Sequence, residues 1–265
     1  MIWPHIEPGV SPWMYYLCVG FAVLITGISK SGFGGGVGIV AIPIMALVMP
    51  DKRTMLGIQL PLLIAADALS NLHHLKNYEW RILKPLVWGA IGGVVLGSLV
   101  FWALRNSDPI RLQKGLSFLI GTICFLFVLI QAWGLLGRRV PTLPSHPASS
   151  VAVGTTAGFV STLSHGAGPL VSLYLLQEKL ARHILVGTQV FYFLLVNSAK
   201  VPTYVAFGYI NRSTLRDSIW FIPLIPLGTL IGAWMNKRIP EKPFAAILYV
   251  AAAVTAGHMI WSALR

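Results

Sequence analysis

Apolar residues in this chain come in long uninterrupted runs rather than at the spacing of amphipathic surface helices, and polar residues punctuate them. The pattern predicts ten apolar helical segments and no strands. The first two, 17–28 and 37–48, flank a stretch from Gly27 to Pro43 that holds six glycines and Lys30. Glycine tolerates backbone angles closed to other residues, so the helix is expected to break between Ser29 and Gly36. Backbone N–H and C=O groups freed inside hydrocarbon must then be satisfied by protein, water or a ligand. Segment three runs over 55–72, segment four over 85–104 and segment five over 112–136. A polar stretch with Arg138, Arg139 and three prolines follows and reads as a linker. Beyond it come an interrupted pair over 151–177, broken around 161–169, and segments at 184–207, 219–235 and 244–264.

The second half repeats the first. Gly27 corresponds to Gly158, Gly57-Ile-Gln59 to Gly187-Thr-Gln189, Gly97-Ser98 to Gly228-Thr229, and Pro109 to Pro240, at an almost constant spacing. A spacing held across a whole half marks a duplication. Each half has five segments, and an odd number turns the second half upside down relative to the first. The expected fold is therefore an all-α polytopic membrane protein of two inverted-topology repeats, each starting with a Gly-broken helical hairpin that either crosses fully or turns back as a re-entrant pair. The corresponding division is 1–12 as an N-terminal extension, 13–137 as the first repeat, 138–150 as linker and 151–265 as the second repeat.

Composition supports the membrane reading: 55% of 265 residues are hydrophobic and 11% charged, and the mean hydropathy is +0.73, far from soluble domains. The net charge of +12 does not point to nucleic acid, because Lys and Arg stand singly or in small groups between apolar runs. They mark topology instead. Lys and Arg are more numerous on the face carrying the linker, which is assigned to the cytoplasm, with both termini outside. Trp3, Trp13, Trp80, Trp133 and Trp261 fall near segment ends as interfacial anchors. Residues 1–12 lack a basic n-region and do not read as a cleavable signal. Cys18 and Cys124 lie inside apolar runs, so neither a disulfide framework nor a metal site is expected, and no cofactor is called for.

The broken hairpin Gly-Phe-Gly-Gly-Gly-Val-Gly followed by Pro43, the Gly-x-Gln at Gly57 and again at Gly187, and the duplicated architecture resemble the sulfite exporter TauE/SafE family. The resemblance covers essentially the whole chain. It implies an inner-membrane carrier of sulfite, sulfoacetate and other organosulfonates, coupled to protons. The second hairpin departs from the glycine-rich pattern with Ser-His-Gly-Ala-Gly-Pro.

The chemistry of the breaks suits a compact oxyanion, which needs helix N-termini, hydroxyls, amides and a cation. Ser29, Lys30, Ser31, Gly34 and Gly35 in the first break are candidate substrate-binding residues, with Ser161, Thr162, Ser164, His165 and Gly166 in the second. Each hydroxyl has an alternative use on a carbonyl of the preceding turn, and Lys30 one in snorkelling to an interface. Lys200 stands deep in segment eight, where a charge costs about 2.5–3.5 kcal/mol and demands a partner or a wet cavity. It is either an anion ligand or half of an interhelical lock with Asp67, read as the one carboxylate inside an apolar segment. Asn197 shares the face of Lys200, and Gln59 and Gln189 occupy matched positions. Asp67 and His165 are candidate proton-coupling groups. His73 and His74 read as surface residues.

An alternative is an anion channel or uptake permease, which needs the same lysines. A less favoured one is an intramembrane hydrolase pairing Ser29 or Ser31 with His258; the absence of Gly-x-Ser-x-Gly speaks against it. The expected partners are a small sulfur-containing anion, protons and the lipid bilayer.

Overall fold

A computed structural model describes residues 9–32, 37–49, 51–73, 77–135, 145–238 and 241–265. The described residues are helical almost throughout. The elements are α1 (Pro12–Gly32), a 3-10 turn (Val37–Val40), α2 (Ala41–Val48), α3 (Lys52–His73), α4 (Trp80–Leu104), α5 (Pro109–Leu135), α6 (Pro147–Ser164), α7 (Gly168–Gln177), α8 (Arg182–Ala206), α9 (Arg212–Phe221), α10 (Leu224–Arg238) and α11 (Glu241–Leu264). Five helices among the described residues are long and apolar enough to cross a membrane, six if the bent pair α9–α10 is one span.

Three differences from the sequence pattern have local causes. Helix α1 runs on through Ser29, Lys30 and Ser31 to Gly32, past the point where a break was expected to start; 33–36 lie outside the described residues. Ser31 helps to hold this last turn by donating to the Gly27 carbonyl. Segment nine is not one run from 219. Helix α9 starts at Arg212, under an Asn211–Thr214 capping box that satisfies its first N–H groups. It ends at Phe221, and α10 leaves at 41° around Pro223, which has no N–H to give. Finally, α6 starts at Pro147 within the stretch read as linker, capped by the His146 side chain accepting from Ala148 N–H. Proline is well placed at a first helical position, where its missing N–H has no partner to lose.

The most extensive helix contacts are α4 with α6, α5 with α11 and α1 with α10, and α3 packs along α8. Small residues permit the first and third. A Cβ on Gly93 would collide with the Thr155 carbonyl, and one on Gly228 would sit 2.6 Å from the Leu24 carbonyl, so both helix pairs meet backbone to backbone. Large apolar side chains point outward, among them Trp88, Val95, Leu99, Leu230, Trp234 and Val254. Buried inside are Ser29, Lys30, Gln59, Asp67, Asn197 and Lys200. An apolar exterior around a polar interior is the arrangement a bilayer selects.

Candidate functional site

The polar interior is where broken elements meet. Helix α6 stops at Ser164, because His165 takes the left-handed conformation (φ 57°) while its N–H still caps the Ser161 carbonyl. The chain restarts as α7 at Gly168, so the C-terminal end of α6 and the N-terminal end of α7 lie three residues apart. On the other side the last turn of α1 carries Lys30, and the 3-10 turn holds Gly38. These four ends converge with α3 and α8 on a cavity of about 30 Å³, room for about two water molecules. Lys30, Gln59, Ser161, His165 and Asn197 line it, so the structure brings together five of the residues singled out in the sequence. Gly38, Gly168 and Phe193 also line it. Sequence reasoning missed these three, although Gly38 and Gly168 share the spacing of Gln59 and Gln189.

Two buried clusters surround the cavity. In the first, Lys30 Nζ lies 2.5 Å from Asp67 Oδ1, and Asn197 Nδ2 donates to Asp67 Oδ2 at 2.7 Å. The Lys30 ammonium also sits 4.3 Å from the centre of the Phe193 ring, whose electron-rich face favours a cation. Both carboxylate oxygens are thus engaged, which a wholly buried Asp67 requires. In the second cluster, Lys200 Nζ donates to the Ser161 carbonyl (3.2 Å), Ser161 Oγ (3.0 Å) and His165 Nδ1 (3.0 Å). An ammonium has three protons, and these acceptors use all of them. The cation also stands at the C-terminal end of α6, the favourable end of the helix dipole. His165 Nε2 lies 3.1 Å from the Leu56 carbonyl. A carbonyl only accepts, so Nε2 carries the ring proton and Nδ1 accepts from Lys200.

The lock imagined between Lys200 and Asp67 is therefore not the one the fold makes: Asp67 belongs to Lys30, and Lys200 belongs to Ser161 and His165. Lys30 is drawn inward rather than snorkelling.

The other candidates face elsewhere. Ser31 Oγ also donates to the Thr229 carbonyl at 2.8 Å, tying α1 to α10. Thr162 and Ser164 donate to the Gly158 and Val160 carbonyls of the preceding turn, and Gly166 N–H donates to Ser164 Oγ. Gln189 donates to Ser172 Oγ at 2.7 Å, outside the cavity lining. Ser29 is buried against Gly38. Gly34, Gly35 and His74 lie outside the described residues. Asp67 is also not the only buried carboxylate. Asp217, on the early turns of α9, is 1% exposed and 3.4 Å from Arg216 Nε; it escaped notice because the apolar run was read as starting at Ile219.

The family model described as "Sulfite exporter TauE/SafE" matches residues 19–259. No curated protein and no solved structure matches the chain.

Proposed function

The chain belongs to the sulfite exporter TauE/SafE family, which makes it a multi-pass membrane transporter of sulfur-containing anions, and from that premise we propose that it exports sulfite or small organosulfonates by alternating access around the Lys30 cavity. The observation that carries this reading is a cationic, helix-terminated cavity inside an apolar bundle. Lys30 lines it beside the N-terminal end of α7 at Gly168, and helix N-termini attract oxyanions. Ser161, Gln59 and Asn197 add hydroxyl and amide groups.

An inverted repeat accounts for how the helices pack. The matched helices α3 and α8 touch each other, as do α5 and α11, while α1 packs on α10 and α6 on α4. Those are the contacts expected of two halves related by a two-fold axis passing between α3 and α8. The axis then runs by the cavity, and rocking one half against the other opens it to alternate sides. The cavity is small, so substrate enters with movement of the segments around it. Placed in a bacterial inner membrane, the protein would work across an inside-negative potential that assists anion exit by about 2.3 kcal/mol per charge per 100 mV, which favours export. Proton coupling would use Asp67, whose partner Lys30 is the cation an entering anion competes for.

Proteoliposomes loaded with sulfite, sulfoacetate, taurine, thiosulfate or sulfate test the reading. Saturable flux with counterflow is the expected result; non-saturating conductance would make the protein a channel. Lys30→Gln should abolish flux in protein that still elutes as a folded species.

A further inference from the structure

The repeated Gly-x-Gln is only half explained by the cavity, since Gln59 lines it and Gln189 does not. The two glycines have a role of their own. A Cβ on Gly57 would collide with the Tyr209 carbonyl, and one on Gly187 with the Asn77 carbonyl, so each glycine admits a peptide of the other half against its helix. Neighbouring hydrogen bonds repeat the match. Ser218 Oγ donates to the Ile58 carbonyl at 2.9 Å and the Glu79 N–H donates to Thr188 Oγ1 at 3.0 Å, and Ile58 and Thr188 directly follow the two glycines. An aromatic pair completes each contact: Tyr209 packs on Phe101 with ring centres 5.0 Å apart, and Tyr78 stacks on Phe191 at 4.8 Å.

The two contacts stand at opposite ends of one helix pair. Helices α3 and α8 meet at Asp67 and Asn197; Gly57 lies ten residues before Asp67 and Gly187 ten before Asn197, while Asn77 and Tyr209 follow the far ends of the same helices. The helices therefore run antiparallel, and each contact is about 15 Å from the middle of the pair by the helical rise per residue. Their separation of about 30 Å is the thickness of a hydrocarbon core. The cavity lies between them, lined by Gln59 and Leu63 of α3 and by Phe193 and Asn197 of α8. The Asn77 contact is on the linker face, because Arg81 just beyond it shares a pocket with Ser145 and His146.

We infer that these contacts are the two gates of the carrier: Gly57 with Tyr209 closes the cavity on the face away from the linker, and Gly187 with Asn77 closes it on the linker face. This rests on the transport reading above. Every one of these contacts joins one half of the chain to the other, so rocking the halves about α3 and α8 loosens one gate while it tightens the other. Glycine makes each closed position available, since any side chain would hold the two backbones apart.

The test reads the two faces separately. In a chain with Cys18 and Cys124 replaced by alanine, Thr26→Cys places one thiol in the cavity lining, and a membrane-impermeant maleimide is added to either side of vesicles of known orientation. Gly57→Ala should speed labelling from the face away from the linker at least about tenfold, and Gly187→Ala from the linker face, because overpacking disfavours the closed contact. Each should lose flux while keeping anion-dependent thermal stabilisation. Ser218→Ala and Thr188→Val each remove one hydrogen bond without adding bulk, and they should give the same split by face, smaller in size, should the glycine variants not fold. Labelling that rises equally from both faces, or from neither, overturns the gates and leaves anion transport standing. A wild type that carries no anion overturns the transport reading and the gates with it.

Discussion

Asp67 on α3 and Asn197 on α8, 130 positions apart, are hydrogen-bonded to each other at 2.7 Å in the middle of the molecule. The spacing is the one that relates Gly57-Ile-Gln59 to Gly187-Thr-Gln189. Residues that correspond in two halves can meet in this way only close to an axis relating those halves. At this point one half supplies a carboxylate and the other an amide, so whatever symmetry the backbone has, the charge is asymmetric.

Breaking the Lys30–Asp67 pair from one side strands a buried charge. Lys30→Met should destabilise the protein by about 3–5 kcal/mol, while Lys30→Met/Asp67→Asn recovers most of that loss. Equilibrium unfolding of the two variants in detergent checks it. A double variant no more stable than the single would mean that the pair is not coupled.

Lys200 holds the end of α6 with all three of its protons. Lys200→Ala should therefore destabilise the α6–α7 break, seen as faster amide hydrogen exchange over 161–170, and through the displaced Ser161 and His165, which line the cavity, weaken anion-dependent thermal stabilisation. Lys200→Arg should not rescue either, because a planar guanidinium cannot match a three-acceptor ammonium site. Stabilisation by anions that survives in Lys200→Ala would remove Lys200 from the site.

Helix α4 meets α6 through Gly93, and its neighbour Gly92 faces open space. Gly93→Val should lower stability by several kcal/mol, since neither backbone can yield. Gly92→Ala should be neutral or slightly stabilising, by up to about 1 kcal/mol, from helix propensity. Thermal melts of the two variants side by side separate packing from propensity.

Outside the spans, Asp51 ties α3 to α5. Partial burial works to raise its carboxyl, but hydrogen bonds from Thr54 and Gln113 and the Arg53 charge outweigh it and hold the group below the usual carboxylate range. A depressed carboxylate contributes stability above its unfolded-state value and loses it as pH falls through the folded one. Asp51→Asn should thus lower the melting temperature at neutral pH and flatten the acid limb of the stability profile. The size is about 0.2–1 kcal/mol, that of the exposed ion pair with Arg53, because Asn caps a helix about as well as Asp. Equal acid sensitivity in wild type and variant would contradict it.

Much of the architecture was legible in the chain. Long apolar runs are a local property, so α3, α4, α5, α8 and α11 lie within a few residues of their expected places. The 161–169 interruption was legible too: α6 ends at Ser164 and α7 starts at Gly168, within a cluster of serine, glycine and proline. Helix ends were less so: α1 persists through Ser31, and α9 starts early enough to carry Asp217, because caps and tertiary contacts extend helices past the apolar run that announces them.

The sequence by itself determined the membrane class and the family, both of which depend on composition and motif. Only the tertiary structure decided who pairs with whom. Lys30 and Lys200 are both lysines in apolar surroundings, yet one is matched to a carboxylate and the other to a helix end and a histidine. A buried charge takes whichever partner the packing of distant helices brings within about 3 Å. That choice has no trace in the residues on either side of it.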